Sequence, residues 1–137
     1  MGAELARKLQ IRSGSRVLVI NAPDGYLDLL SPLPAGASLA ASGDGPFDVV
    51  QLFARNRQEL DAAIGQALTT AGEDGILWIS YPKLASVAAS DLSRQAVWEA
   101  LTGTGWEPVT QVAVDETWSA LRIRPAEKVG SRSPSRR

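Results

Sequence analysis

The sequence predicts a single three-layer α/β domain over residues 1–125, and three observations lead to this fold class. Short apolar runs such as V-L-V-I and F-D-V-V are bounded by turn residues, as is typical of parallel strands buried on both faces. Segments with helical spacing alternate with these runs, which favours right-handed crossovers. The last two extended segments are joined at Asp115-Glu116, which predicts an antiparallel hairpin beside a mostly parallel sheet.

The first half of the chain is predicted to begin with a helix that caps a sheet edge. Leu5 and Leu9 lie four residues apart in that helix, with charged residues between them. After it we expect a buried strand, a brief helix that ends before Pro32, a short strand and a second buried strand. The predicted ranges are 3–10 for the first helix, then 16–21, 27–30, 37–41 and 47–53.

The second half begins with a helix that Asn56 caps, with Glu59 as the reciprocal half of a capping box. A glycine-led strand, G-I-L-W-I-S, follows at 75–80. Ser90 or Asp91 is expected to cap the next helix, which glycines end before the hairpin strands at 106–114 and 117–123. Residues 126–137 are polar and basic with no apolar anchor, which predicts a disordered basic tail.

Composition excludes several kinds of chemistry. The 137 residues contain no cysteine and no histidine, so thiolate nucleophiles, imidazole proton shuttles and the usual zinc sites are excluded, and we expect no metal site. Residues 1–125 carry 14 acidic and 10 basic side chains, a balance that does not suit nucleic-acid binding except through the basic tail. No apolar run approaches a membrane span and no signal-peptide core is present, so we expect a cytoplasmic protein.

The order of these elements resembles a shortened class I S-adenosylmethionine-dependent methyltransferase, a Rossmann-like fold. In that family F-D-V-V resembles the fourth strand, G-I-L-W-I the fifth, and W-S-A-L-R-I the antiparallel strand. The chain also resembles short bacterial proteins of unknown function that end in Trp-Ser/Thr-Ala-x-Arg. The resemblance spans roughly residues 4–124 and its motifs are mostly structural. One strand–helix unit of the family is missing between Ala41 and Phe47.

The turn after the first strand departs from the family pattern. Methyltransferases place an acidic residue and a glycine-rich turn there, whereas this chain has Asn21 followed by A-P-D-G-Y with the single Gly25. Proline has no backbone N–H to donate. Asp44 is the nearest candidate for the ribose-binding acid that the family has after the second strand. These departures predict that the family's cofactor site is lost, and we expect no cofactor.

Ligands of open α/β sheets bind at the carboxyl ends of the strands. There the sequence places the candidate cofactor or ligand residues Asn21, Asp24, Gly25, Tyr26, Tyr81 and Lys83, with Arg55 and Asn56 beside them. Asp24, Tyr81 and Lys83 are the one plausible acid–base set, and no catalytic motif is complete. Several of these residues also have a simpler interpretation. Asp24-Gly25 would only form a turn, Lys83 and Arg55 would be solvated surface cations, and Tyr81 would pack against a neighbouring helix.

The four tryptophans are interpreted first as packing residues. Trp78 is expected in the core, Trp98 in the core or an interface, and Trp106 and Trp118 in cross-strand packing of the hairpin. An exposed aromatic patch would instead indicate a partner protein. The sequence therefore favours a non-catalytic methyltransferase-like domain that acts as a binding or interaction module, either with a protein partner or as a dimer through the hairpin edge. The alternative is a methyltransferase, or a binder of a nucleotide-like or S-adenosylmethionine-type ligand, that uses the cleft.

Overall fold

The computed structural model describes residues 2–43, 45–83 and 92–125. Four helices and six strands are present in this part of the chain, close to the predicted ranges. In chain order they are α1 Gly2–Lys8, β1 Arg16–Ile20, α2 Tyr26–Leu30, β2 Ser38–Ala40, β3 Phe47–Phe53, α3 Arg57–Thr70, β4 Ala71–Pro82, α4 Arg94–Ala100, β5 Trp106–Ala113 and β6 Trp118–Pro125.

The six strands form one sheet in the order β2-β1-β3-β4-β6-β5. The first four are parallel, whereas β6 runs antiparallel between β4 and β5. This arrangement confirms the predicted mostly parallel sheet with its antiparallel hairpin. Only residues 41–46 separate β2 from β3, so the connection is short, as expected from the missing strand–helix unit.

Apolar side chains cover both faces of the sheet, which explains the continuous apolar runs in the sequence. Alternate residues of each strand enter different clusters. On one face, Leu18, Val50, Leu77 and Leu121 join residues of α3 and α4. On the other face, residues of α1 and α2 pack with strand residues such as Val17, Val49, Trp78 and Ala120. The domain therefore has three layers.

Helix α1 lies across a face of the sheet, so the prediction that it caps a sheet edge was wrong. Leu5 and Leu9 are buried in the same cluster as residues of β1, β3 and β4. The indole N–H of Trp78 on β4 donates to the Leu9 carbonyl oxygen at 3.0 Å. The helix turns its two leucines onto the sheet because the sheet interior offers more apolar area than an edge does.

The cap of α4 differs from the prediction, and the structure excludes the core as the position of Trp98 but does not test the predicted interface. The Ser93 hydroxyl caps α4 by accepting from Ala96 N at 3.1 Å, whereas Ser90 and Asp91 lie outside the described residues. Trp98 is 58% exposed and so is not a core residue. Trp106 packs against the α3/α4 face and Trp118 against the opposite face, so these two rings do not pack on each other.

Asp44 and the predicted disordered tail at 126–137 lie outside the described residues. Of the helices that are described, none has the length and apolar character needed to cross a membrane. The described side chains also contain no group of three or more acidic residues that could hold a metal ion.

The docking of α1 is testable by truncating Leu9. We expect Leu9→Ala to lower the free energy of unfolding by about 3 kcal/mol, because the side chain is fully buried and its removal leaves a cavity. Leu27→Ala is the matched control, since Leu27 is 41% exposed and surface changes cost about 0.5 kcal/mol or less. Urea unfolding measures both values. Equal losses in the two variants would contradict the placement of α1.

Candidate functional site: a cleft at the carboxyl ends of β1 and β3

The chain reverses its direction across the sheet between β1 and β3. From β1 it moves outward to β2, and then it returns past β1 to β3. Such a switch point leaves a crevice at the carboxyl ends of the two central strands. A cleft of about 390 Å³ lies there. Its lining residues come from the β1–α2 turn, the β3–α3 junction and the start of β6, and they are Asn21, Ala22, Pro23, Asp24, Arg55, Glu59 and Trp118.

The β1–α2 turn depends on two residues with left-handed backbone conformations. Asn21 has φ 61° and Gly25 has φ 80°; asparagine tolerates this region better than most residues, and glycine has no Cβ to oppose it. The Tyr26 N–H donates to the Pro23 carbonyl at 3.0 Å and closes the turn. A Cβ built on Gly25 would meet no atom within 4 Å, so space remains above this backbone.

Tyr26 faces the core and not the cleft. Its side chain is buried and its ring lies edge-on to Phe53, with 4.6 Å between the ring centroids. The hydroxyl donates to Gln51 Oε1, and Gln51 Nε2 donates to Ser80 Oγ at 3.0 Å. Burial raises the pKa of Tyr26 well above its ordinary value. The hydroxyl is therefore a fixed structural donor.

An ion pair lies at the end of β3. The Arg55 and Glu59 side chains meet at 2.6 Å between Nη2 and Oε2, and Glu59 Oε1 also accepts from the Arg55 backbone N–H at 2.9 Å. The Asn56 side chain caps α3 by accepting from Glu59 N at 2.9 Å, which confirms the predicted cap. The hydrogen bond from Arg55 lowers the pKa of Glu59. The guanidinium that could hold a ligand phosphate is thus already paired.

The structure does not bring the predicted acid–base set together in the cleft. Tyr81 is buried on the α3/α4 face, opposite to the face that holds Tyr26. Burial raises the pKa of Tyr81, while the charge of Arg94 opposes this shift. Lys83 is half-buried, and its backbone N–H donates to the Thr117 carbonyl at 2.7 Å. Of the three, Asp24 alone belongs to the cleft lining.

Sequence reasoning missed Trp118 and the ion-pair role of Glu59 in the cleft. Trp118 begins the one strand that runs antiparallel to β4, so its position at the start of β6 lies at the edge where the parallel strands end. Its ring packs edge-on against Phe53 with 5.0 Å between centroids. The predicted antiparallel hairpin carried this signal, because reversing a strand brings its first residue to the carboxyl edge.

The described residues at the cleft depart from the pattern that the family resemblance implies for S-adenosylmethionine. The turn supplies Pro23, which has no N–H, and Tyr26 is held in the core by Gln51. After β2, residues 41–43 are alanine, serine and glycine, and the candidate ribose-binding acid Asp44 lies outside the described residues. The polar side chains that remain at the cleft are Asn21, Asp24 and the Arg55–Glu59 pair.

Solved methyltransferase structures are similar to this fold. The chain is similar to a ribosomal protein L11 methylase from Lactobacillus delbrueckii subsp. bulgaricus, with 16% identity over 90% of this chain and 78% of that chain, and a TM-score of 0.60. It is also similar to an S-adenosylmethionine-dependent methyltransferase from Aquifex aeolicus, with 12% identity over 89% of this chain and 88% of that chain, and a TM-score of 0.62. A third similar structure is a Burkholderia thailandensis 1,6-didemethyltoxoflavin-N1-methyltransferase with bound S-adenosylhomocysteine. Its identity is 13% over 90% of this chain and 76% of that chain, and its TM-score is 0.55.

The chain therefore has a class I methyltransferase-like, Rossmann-like α/β fold, as the sequence resemblance predicted. No protein-family model matches the chain, and no curated protein is significantly similar to it. Low identity combined with similar topology means that the likeness concerns the backbone arrangement. A function needs separate arguments from the residues of this chain.

The Arg55–Glu59 pair predicts a pH-dependent contribution to stability. Because the folded-state pKa of Glu59 lies below its ordinary value of 4.5, the contribution is present above pH 4.5 and is lost as the pH falls through the lower folded-state pKa. We expect Glu59→Gln to lower the free energy of unfolding by about 0.5 kcal/mol at neutral pH, since the pair is largely exposed.

Urea unfolding of both proteins across the acid range checks this dependence. The difference between the wild type and Glu59→Gln should disappear at low pH. Asp61→Gln is the control for a change of charge on α3, because Asp61 pairs with Arg57 and no part of it lines the cleft. A difference that stays constant with pH would show that Glu59 acts as a helix residue and not through its charge.

Proposed function

We propose that this chain is a non-catalytic methyltransferase-like domain that acts as a binding module. The observation that carries the proposal is the state of the cleft. The first residue of α2, Tyr26, is committed to the core, and the cation at the end of β3 is paired with Glu59. Asp24, Tyr81 and Lys83 do not meet in the cleft. The β1–α2 turn contains Pro23, which has no backbone N–H to donate to a ligand. These features support retention of the fold without its usual chemistry.

A surface beside the hairpin supports binding to another macromolecule. Trp98 is the larger of the two large apolar side chains that are exposed in the described part of the chain. Next to it lies a recess of about 290 Å³, whose walls include Gly103, Gly105, Trp106 and Pro108. An exposed aromatic beside a concave apolar surface is the usual composition of an interface anchor. We name these five residues the Trp98 surface.

The occupant that we propose for the Trp98 surface is a second copy of this chain. A two-fold interface places the same patch of each protomer against the other, so the projecting Trp98 of one copy can fill the recess of its partner. Continuous strand pairing is less suited to this edge. Pro108 lies on the edge strand β5 and the register shifts between Pro108 and Thr110, and both features blunt an edge strand.

A second candidate function is binding of a nucleotide-like or S-adenosylmethionine-type ligand, with or without methyl transfer. The observation that favours it is the position of the cleft at the switch point of the sheet. The open space above Gly25 also favours it. Asp24 and Asn21 would then be the polar groups that contact the ligand. The two candidates differ in whether the cleft is used.

Calorimetric titration with S-adenosylmethionine, and separately with S-adenosylhomocysteine, distinguishes the candidates. We expect no saturable heat at millimolar ligand, because the turn lacks the donors that would hold the cofactor. Micromolar binding that Asp24→Trp abolishes and Asp28→Trp preserves would contradict the proposal and establish a ligand site in the cleft. Both aspartates are exposed near α2, but only Asp24 lines the cleft, so the second variant controls for the tryptophan itself.

Sedimentation velocity over a range of protein concentrations tests the Trp98 surface. We expect a concentration-dependent dimer whose association constant falls about thirtyfold or more in Trp98→Ser, since loss of an interface tryptophan costs ~2 kcal/mol. Leu27→Ser is the control, because Leu27 is the other exposed large apolar residue and lies on α2. A wild-type protein that stays monomeric at the highest concentration, or equal effects of the two variants, would overturn the assignment of a second copy.

A further inference from the structure

A second polar cleft lies at the opposite edge of the sheet, where the parallel strands begin. Its volume is about 450 Å³. The segment before β1 and the start of β3 form part of the wall, and Ile76 of β4 and Arg122 of β6 complete it. The polar and charged side chains of its lining include Arg12, Ser15, Asp48 and Arg122. Because this cleft and the one at the carboxyl ends are on opposite edges, an inference about it does not depend on the proposed function.

Arg122 is an anomaly in this cleft. The residue is half-buried in β6, in register with Trp78 of β4 on one side and Thr110 of β5 on the other. Its Nε is buried, and no acceptor among the described residues satisfies it. None of the ion pairs among the described residues includes Arg122. A buried N–H donor that lacks an acceptor is uncommon in proteins, and here it belongs to a side chain that also borders the cleft.

The surroundings of Arg122 increase the need for an anion. Burial and the positive charge of the neighbouring Arg124 both lower the pKa of Arg122. Asp48 is the acidic residue of the cleft, and its Oδ2 already accepts from the Arg16 backbone N–H at 2.8 Å. The carboxylate is thus directed toward the start of β1. Positive charge therefore predominates where Arg122 borders the cleft.

Two further groups provide donors at the same cleft. Arg12 is exposed and adds a second guanidinium. Ser15 is buried, and its Oγ accepts from the Arg12 backbone N–H at 3.0 Å, which leaves the hydroxyl proton to be donated. This bond also fixes the Arg12–Ser15 turn. Two guanidinium groups and a hydroxyl are donors that match an oxyanion with several acceptor oxygens.

We propose that this cleft is a binding site for a phosphate group, with Arg122 as its principal cation. A phosphate dianion has the charge and the number of oxygens to engage both arginines, whereas a carboxylate has one charge and suits a single guanidinium fork. Bound phosphate would pair with the part of the Arg122 side chain that lines the cleft and would offset its repulsion from Arg124. The cleft also has room for the organic part of a small phosphomonoester.

Calorimetric titration of the full chain with inorganic phosphate, at constant ionic strength, tests the site. We expect saturable binding whose association constant falls at least tenfold in Arg122→Gln and less steeply in Arg12→Gln. Arg7→Gln is the matched control, because Arg7 is exposed on α1 and does not line the cleft; its association constant should stay within twofold of the wild type. Acetate should bind at least tenfold more weakly than phosphate.

Thermal unfolding gives a second readout that is independent of calorimetric heats. Phosphate should raise the Tm of the wild type and of Arg7→Gln, but not that of Arg122→Gln. Without phosphate, Arg122→Gln should unfold at the same or a higher temperature than the wild type, since it removes an unpaired charge. Absence of saturable phosphate binding, an Arg122→Gln variant that binds as tightly as the wild type, or acetate that binds as tightly as phosphate would overturn the proposal.

Discussion

Gln51 has a buried amide in the middle of a strand that is covered on both faces, and the sheet is built around its hydrogen bonds. The neighbours of Gln51 in β3 are apolar and fully buried, so the amide has no access to water and needs partners within the protein. It accepts from Tyr26 and donates to Ser80. These two bonds connect α2, β3 and β4 across one face, and they hold the β1–α2 turn above the sheet.

The two edges of the sheet differ in how their polar side chains are paired. At the carboxyl edge, the tyrosine of the turn is withdrawn into the core and the arginine after β3 is paired, so the cleft contains few uncommitted donors. At the amino edge, Arg122 keeps a buried Nε without an acceptor. The backbone is methyltransferase-like, but the unsatisfied polar group described above, the Arg122 Nε, lies at the edge opposite to the switch point.

The strands and their directions could be predicted from the sequence because burial on both faces leaves a simple pattern. The V-L-V-I and F-D-V-V runs correspond to β1 and β3. The face that each residue occupies at a strand end could not be predicted, and so Tyr26 and Tyr81, expected in one cleft, lie on opposite faces. Helical spacing likewise did not reveal the exposure of Trp98, because a short helix with apolar residues on several sides does not specify which side is covered. Ser93 was missed because three capping residues stand close together at Ser90, Asp91 and Ser93.

The position of β6 inside the sheet has a consequence for the order of folding during synthesis. β6 forms ladders with β4 on one side and β5 on the other, although it follows both of them in the chain. While a ribosome is still making residues 118–125, β4 therefore has an open edge and β5 has no partner. The sheet therefore stays incomplete until β6 has left the exit tunnel. β6 can then pair with β4 and with β5 in the same step. A nascent chain of this protein thus has a window in which chaperones can recognise an exposed strand edge.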